Sequence, residues 1–163
     1  MPHLAEIDSI AAAQPLRKSG GELVEWLGEA ALRSLFPGRR DWPIPDALVH
    51  WRLRNREGTF LLEWDRGTET VAVLTAKLAR YFIFWERRGY REMLPGLGLR
   101  PRLAIVLASV ERAARLQGWL GSQSHKWSGT IFLGVRQRVL NEPLGRTWWR
   151  NVNADPSSEL TEP

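Results

Sequence analysis

A chain of 163 residues with 44% hydrophobic content is long enough to bury a real core and too short for a multidomain protein. Its formal charge of +5 rests mostly on Arg and favours a polyanionic partner, while the lack of any Cys excludes disulfide frameworks, zinc-thiolate sites and Cys nucleophiles. Only three His are present, so carboxylates are the remaining route to a metal; no run is apolar enough to span a membrane and no signal peptide is evident, so a cytoplasmic location is expected.

Residues 1–21, with Ala11-Ala12-Ala13, the basic step Arg17-Lys18 and Gly20-Gly21, read as a flexible N-terminal arm. Residues 22–153 read as one α/β domain, and residues 154–163 as a disordered tail. Leu23, Trp26, Leu27, Ala30 and Ala31 recur at spacings of three and four, which predicts a helix over residues 22–36 that stops before Pro37-Gly38. Its acids Glu22, Glu25 and Glu29 fall largely on the other side. Residues 38–44 form a loop, and Pro43 and Pro45 prevent regular strand pairing there.

Residues 47–53 and 59–64 are rich in Val, Leu, Phe and Trp and flank Arg54-Asn55-Arg56-Glu57-Gly58, the pattern of a β-hairpin with a longer loop. Asp46 opens the first strand, and Glu63 and Asp65 close the second. Side chains two apart in a strand point the same way, so Glu63 and Asp65 share a face about 6.6 Å apart, at roughly 3.3 Å per residue. Antiparallel pairing brings Asp46 beside them. Three carboxylates so placed suit Mg²⁺ or Mn²⁺, and are equally compatible with exposed acids at strand ends paired to Arg.

Arg66-Gly67-Thr68 then makes a turn, with Thr68 as the expected N-cap and Glu69 in the first turn of a helix. Val71, Leu74, Leu78, Tyr81, Phe82 and Trp85 give that helix an apolar stripe that packs on the sheet, and Arg80 and Arg87 mark its polar side. Lys77 lies on the margin of the stripe. From there it reaches either water or the carboxylates.

Arg87-Arg88-Gly89-Tyr90-Arg91 and Arg100-Pro101-Arg102 offer either a phosphate-binding surface or an ordinary solvated helix end and loop. The apolar run 103–108 reads as a buried strand, Ser109 as the cap of a helix over 110–120, residues 121–129 as a polar loop, and 130–135 as another strand. Residues 146–150 complete the sheet as an edge strand. Alternation of strand and helix predicts a small mixed sheet covered on both sides. Of nine Trp, Trp26, Trp64 and Trp85 sit on apolar patterns, whereas Trp127, Trp148 and Trp149 stand beside Lys or Arg and are open either to burial or to stacking on bases.

Pro45-Asp46, Leu62-Glu63-Trp64-Asp65-Arg66-Gly67-Thr68 and Lys77-Leu78-Ala79-Arg80-Tyr81 together resemble the bacterial replication-relaxation family of plasmids and other mobile elements. That family is similar to the PD-(D/E)xK nucleases, so the resemblance implies a restriction-endonuclease-like core. It implies Asp46, Glu63 and Asp65 as ligands of Mg²⁺ or Mn²⁺, with Asp65 standing where the Lys is usual and Lys77 as the displaced basic residue. Asp46, Glu63, Asp65 and Lys77 are then the candidate catalytic set, and Arg66, Arg80, Arg87, Arg88 and Arg91 the candidate DNA contacts. Superfamily members also bring a Glu from the first helix to the metal, a place open to Glu25 or Glu29, although both read first as solvated acids of the helix face and stay outside the candidate set. Family members carry a winged-helix domain ahead of this region; a separate winged-helix, replication or transfer protein is therefore an expected partner, beside DNA.

Two functions follow from these residues. One is a DNA-associated protein that nicks or cuts phosphodiesters with Mg²⁺; the other is a non-catalytic DNA- or protein-binding module on the same fold. Lys77 turned away from Asp46 and Glu63, or Asp65 tied to a neighbouring Arg, would favour the second.

Overall fold

A computed structural model describes residues 20–35, 41–93, 100–123, 130–141 and 148–150. The expected N-terminal arm up to residue 19, the C-terminal tail, Phe36 and the loop containing His125, Lys126 and Trp127 lie outside the described residues. Six strands form one sheet in the order of the chain: β1 (Gly21–Gly28), β2 (Ala47–Leu53), β3 (Arg56–Trp64), β4 (Arg102–Leu107), β5 (Ile131–Val135) and β6 (Trp148–Arg150). The first three are antiparallel, β3, β4 and β5 are parallel, and β6 returns antiparallel to β5. The helices are α1 (Glu29–Leu35), α2 (Val71–Glu86), α3 (Gly89–Met93), α4 (Val110–Gln123) and α5 (Arg136–Asn141). The mixed α/β sheet flanked by helices is therefore as the sequence predicts.

Strand alternation sorts the core onto two faces. Leu48, Leu61, Leu103, Ile105, Ile131 and Leu133 meet Leu32 of α1, the α2 stripe from Leu74 to Trp85, and Ala113, Leu116 and Leu120 of α4. On the other face Trp51, Phe60, Ala104, Val106 and Phe132 pack with Val139 of α5 and Trp148. Trp148 and Trp85 are fully buried, so these two aromatics serve packing. At fully buried positions each such side chain contributes about 2–3 kcal/mol relative to exposure.

Three local expectations are corrected. Residues 22–36 are not one helix: Gly21–Gly28 is an edge strand and only Glu29–Leu35 is helical. A β-bulge between Leu23 and Glu25 explains the misleading spacing. The extra residue puts Leu23, opposite Trp51, and Trp26, opposite Val49, on the same face although they are three apart. Glu22 and Glu25 consequently belong to a strand and not to a first helix.

The hairpin loop is Arg54-Asn55 alone, because Leu53 pairs with Arg56 and Trp51 with Gly58. Arg56, Glu57 and Gly58 belong to β3. The cap of α2 is Thr70, whose hydroxyl accepts from the Val73 N–H at 3.3 Å, so Thr68 and Glu69 precede the helix and its first turn holds no acid. Ser109 caps α4 as expected, accepting from the Arg112 N–H at 3.3 Å.

Candidate functional site

Asp46 enters β2 where β3 ends, and its Oδ2 accepts the backbone N–H of Trp64 at 2.6 Å. That bond caps the end of the hairpin and fixes the Asp46 carboxylate next to Glu63. Glu63 faces α2 and is buried, with 3% of its surface exposed. One turn apart on that helix, Lys77 and Tyr81 both reach it: Lys77 Nζ donates to Oε2 and forms an ion pair, and the Tyr81 hydroxyl donates to Oε1. The i, i+4 spacing is what lets two donors from one helix reach both oxygens, one each.

The electrostatics follow from this enclosure. Burial pushes the Glu63 carboxyl up, the Lys77 charge and the two hydrogen bonds pull it down, and the Asp46 charge pushes it up again, leaving it at about 7. Burial also lowers Lys77, but the Glu63 carboxylate outweighs it and the ammonium is held above its usual value. For Tyr81, burial and Glu63 act together and hold the phenol protonated. Glu63 is thus a carboxyl poised near neutrality, with both oxygens already engaged.

Asp65 shares the helix-bearing face but turns to a different helix. Its backbone N–H extends the β3–β4 ladder to Val106 O at 2.8 Å. Its carboxylate receives a two-point contact from Arg112 of α4, Nε to Oδ2 at 2.5 Å and Nη2 to Oδ1 at 2.8 Å, and the Gly67 N–H at 2.9 Å. Gly67 stands at φ +81, a backbone that only glycine adopts without strain, which closes the Asp65 turn. Arg112 Nη2 also holds the Glu69 carbonyl at 2.8 Å, so the chain stays irregular up to Thr70. Burial would raise the Asp65 carboxyl, but the Arg112 hydrogen bonds, the Gly67 N–H and the Arg112 charge overcome it and keep it low.

Arg136, at the end of β5, donates Nη2 to the Asp65 carbonyl at 3.2 Å and lies over the Trp64 ring at 6.0 Å. The structure thus brings Asp46, Glu63, Lys77 and Tyr81 together at one end of the sheet and commits Asp65 to Arg112. Among the described residues no three acids or histidines gather as a metal-holding group. Asp46 and Glu63 are the two carboxylates from which a Mg²⁺ would have to draw its protein ligands, and Asp46 Oδ2 and both Glu63 oxygens already accept hydrogen bonds.

The candidate DNA contacts divide. Arg66 is exposed beside this site, Arg80 lies midway along α2 and donates to the Trp42 carbonyl at 3.1 Å, and Arg87, Arg88 and Arg91 are exposed at the far end of α2 and in α3. Glu25 and Glu29 are both exposed, Glu29 pairing with Arg33 within α1. Arg112 and Arg136 carry no motif. The available signal for Arg112 was its place three residues after a Ser cap, on a helix arriving at the same sheet end as Asp65.

No helix among the described residues is long and apolar enough to cross a membrane. A family model described as replication-relaxation matches residues 5–97, a span that contains Asp46, Glu63, Asp65, Lys77 and Tyr81 and ends before Arg112. No curated protein and no solved structure matches the chain.

Proposed function

The chain belongs to the replication-relaxation family, which points to a part in replication, and from that premise we propose that it is a DNA-binding module of a plasmid or mobile element built on a nuclease-like core. The reading of the core rests on topology. Three antiparallel strands, a crossover helix and a parallel strand place Asp46 and Glu63 at adjacent strand ends, with Lys77 and Tyr81 on the crossover helix. The observation that favours binding over hydrolysis is the Asp65–Arg112 pair. It removes the third carboxylate that a full ligand set would use, while Lys77 and Tyr81 occupy the oxygens of Glu63. DNA and a replication or transfer protein are the partners this reading implies, in the cytoplasm.

A second reading keeps one specific support, the direct contact of Lys77 with Glu63 beside Asp46. In a Mg²⁺-dependent nuclease, Asp46 and Glu63 would hold the ion, which supplies charge neutralisation at a phosphodiester, and Lys77 would face the same phosphate. Asp65 would act there only through Arg112. Supercoiled plasmid incubated with Mg²⁺ or Mn²⁺ separates the two. The binding module leaves the plasmid intact and retards it on a gel, with Glu63→Ala and Lys77→Ala retarding it equally; nicking by wild type that both variants abolish establishes the nuclease instead.

A further inference from the structure

Seven exposed arginines of this chain stand at the end of the sheet opposite Glu63. β2 ends and β3 begins at the Arg54-Asn55 turn, α2 must return the chain to that end because β3 and β4 are parallel, and β4 starts there at Arg102, opposite Phe60. Arg52, Arg54, Arg56, Arg87, Arg88, Arg91 and Arg100 are all exposed. Acids intervene: Arg52 pairs with Glu22 at 3.4 Å and Glu57 at 3.8 Å, and Arg87 with Asp41 at 3.7 Å. Arg54, Arg88 and Arg91 have no carboxylate partner among the described residues.

Two of these unpaired arginines stand on backbone that disfavours them. Arg54 has φ 54 and Arg88 φ 56, and they are the only described non-glycine residues with positive φ. In the two-residue hairpin loop only the first position is left-handed, the pattern of a type II′ turn, whose first central residue is typically Gly. Arg88 follows the C-cap Arg87 of α2, where helices most often place Gly. A helix dipole gives Arg88 some compensation, but Arg54 sits on a hairpin and has none. A long cation at both positions that favour glycine, at one end of the molecule and with no carboxylate partner among the described residues, is the observation that points to a use for the charge itself.

We infer that this arginine pole, with Arg54, Arg88 and Arg91 as its free cations, is the surface that holds the phosphate backbone of duplex DNA, separately from the Asp46–Glu63–Lys77 end. The inference rests on the proposed DNA-binding function and locates it. Arginine suits the task because its planar fork donates to phosphate oxygens and stays charged at any working pH. Each phosphate contact releases condensed counterions, so binding through this pole depends steeply on salt and not on a divalent metal.

The test exploits the backbone. In the double variant Arg54→Gly and Arg88→Gly the fold gains the residue each position favours, so the Tm stays level or rises, by up to about 4 °C. Affinity for a fluorescent duplex oligonucleotide in EDTA falls about tenfold or more, and the slope of log affinity against log salt drops by about 1 for each arginine removed. Arg54→Lys and Arg88→Lys retain binding, and Arg115→Ala, at an exposed arginine of α4 away from the pole, leaves the affinity unchanged. Wild-type binding that the double glycine variant preserves, with the same salt slope, overturns the pole while leaving DNA binding in place. A wild type with no salt-sensitive duplex binding overturns both.

Discussion

Glu63 illustrates how one side chain couples stability to the site. Its folded carboxyl sits at about 7 against an ordinary 4.5, so the folded chain holds a proton that the unfolded chain releases across that interval. Stability from this group is fully present below the ordinary value and is lost as pH rises through about 7, by on the order of 3 kcal/mol. Glu63→Gln has no such proton to lose. Urea unfolding at about pH 5 and about pH 8 should therefore show wild type losing stability relative to Glu63→Gln as pH rises; parallel profiles would mean that the carboxyl is not held protonated by its burial. Asp65 runs the other way, its lowered carboxyl giving stability that disappears only in acid, so the two effects separate by pH window.

Part of this site was legible in residues alone. Strand alternation puts Glu63 and Asp65 on one face with Asp46 beside them, and the i, i+4 spacing puts Lys77 and Tyr81 one turn apart on α2; the hairpin register, expected around a five-residue loop, and the Tyr81 hydroxyl, read only within the apolar stripe, were not. The fate of Asp65 was not legible. Strand alternation correctly puts it on the face of Glu63, but Arg112 lies 47 residues away and only tertiary packing of α4 decides which helix captures the carboxylate.

At the scale of elements, misreadings arose where a local pattern had two physical solutions. In β1 the bulge gives apolar residues a helix-like spacing, and only pairing with β2 resolves it. At the start of α2 the residues pointed to Thr68 as the cap, whereas Thr70, two residues on, holds that place. Tertiary contacts chose between them: Asp65 takes the Gly67 N–H and Arg112 takes the Glu69 carbonyl, holding the turn open until Thr70. Thr70→Ala should thus cost about 1 kcal/mol, while Thr68→Ala, outside the helix and exposed, stays within about 0.5 kcal/mol of wild type. Thermal unfolding of the two variants side by side checks the assignment, and an equal loss in both would place the cap wrongly. Strands β4 and β5 presented no such ambiguity, since their short continuous apolar runs match strands buried on both faces.

For the whole molecule, the two ends of the sheet differ in how their charges are met. Its one end carries Asp46, Glu63 and Asp65, each satisfied by a backbone N–H, a lysine with a tyrosine, or an arginine. Its other end carries arginines that exceed the acids beside them, including Arg54 and Arg88 on left-handed backbone. Internally paired carboxylates and externally free cations fit a protein that holds DNA by its phosphates, as the overall charge of +5 favours. Such binding needs no divalent ion. The decisive measurement is duplex DNA affinity as a function of salt, taken once in EDTA and once in Mg²⁺ with the DNA recovered afterwards. Binding that weakens steeply with salt, persists in EDTA and returns uncut DNA is the expected result; binding that requires Mg²⁺, with nicked or linear DNA recovered, would contradict it.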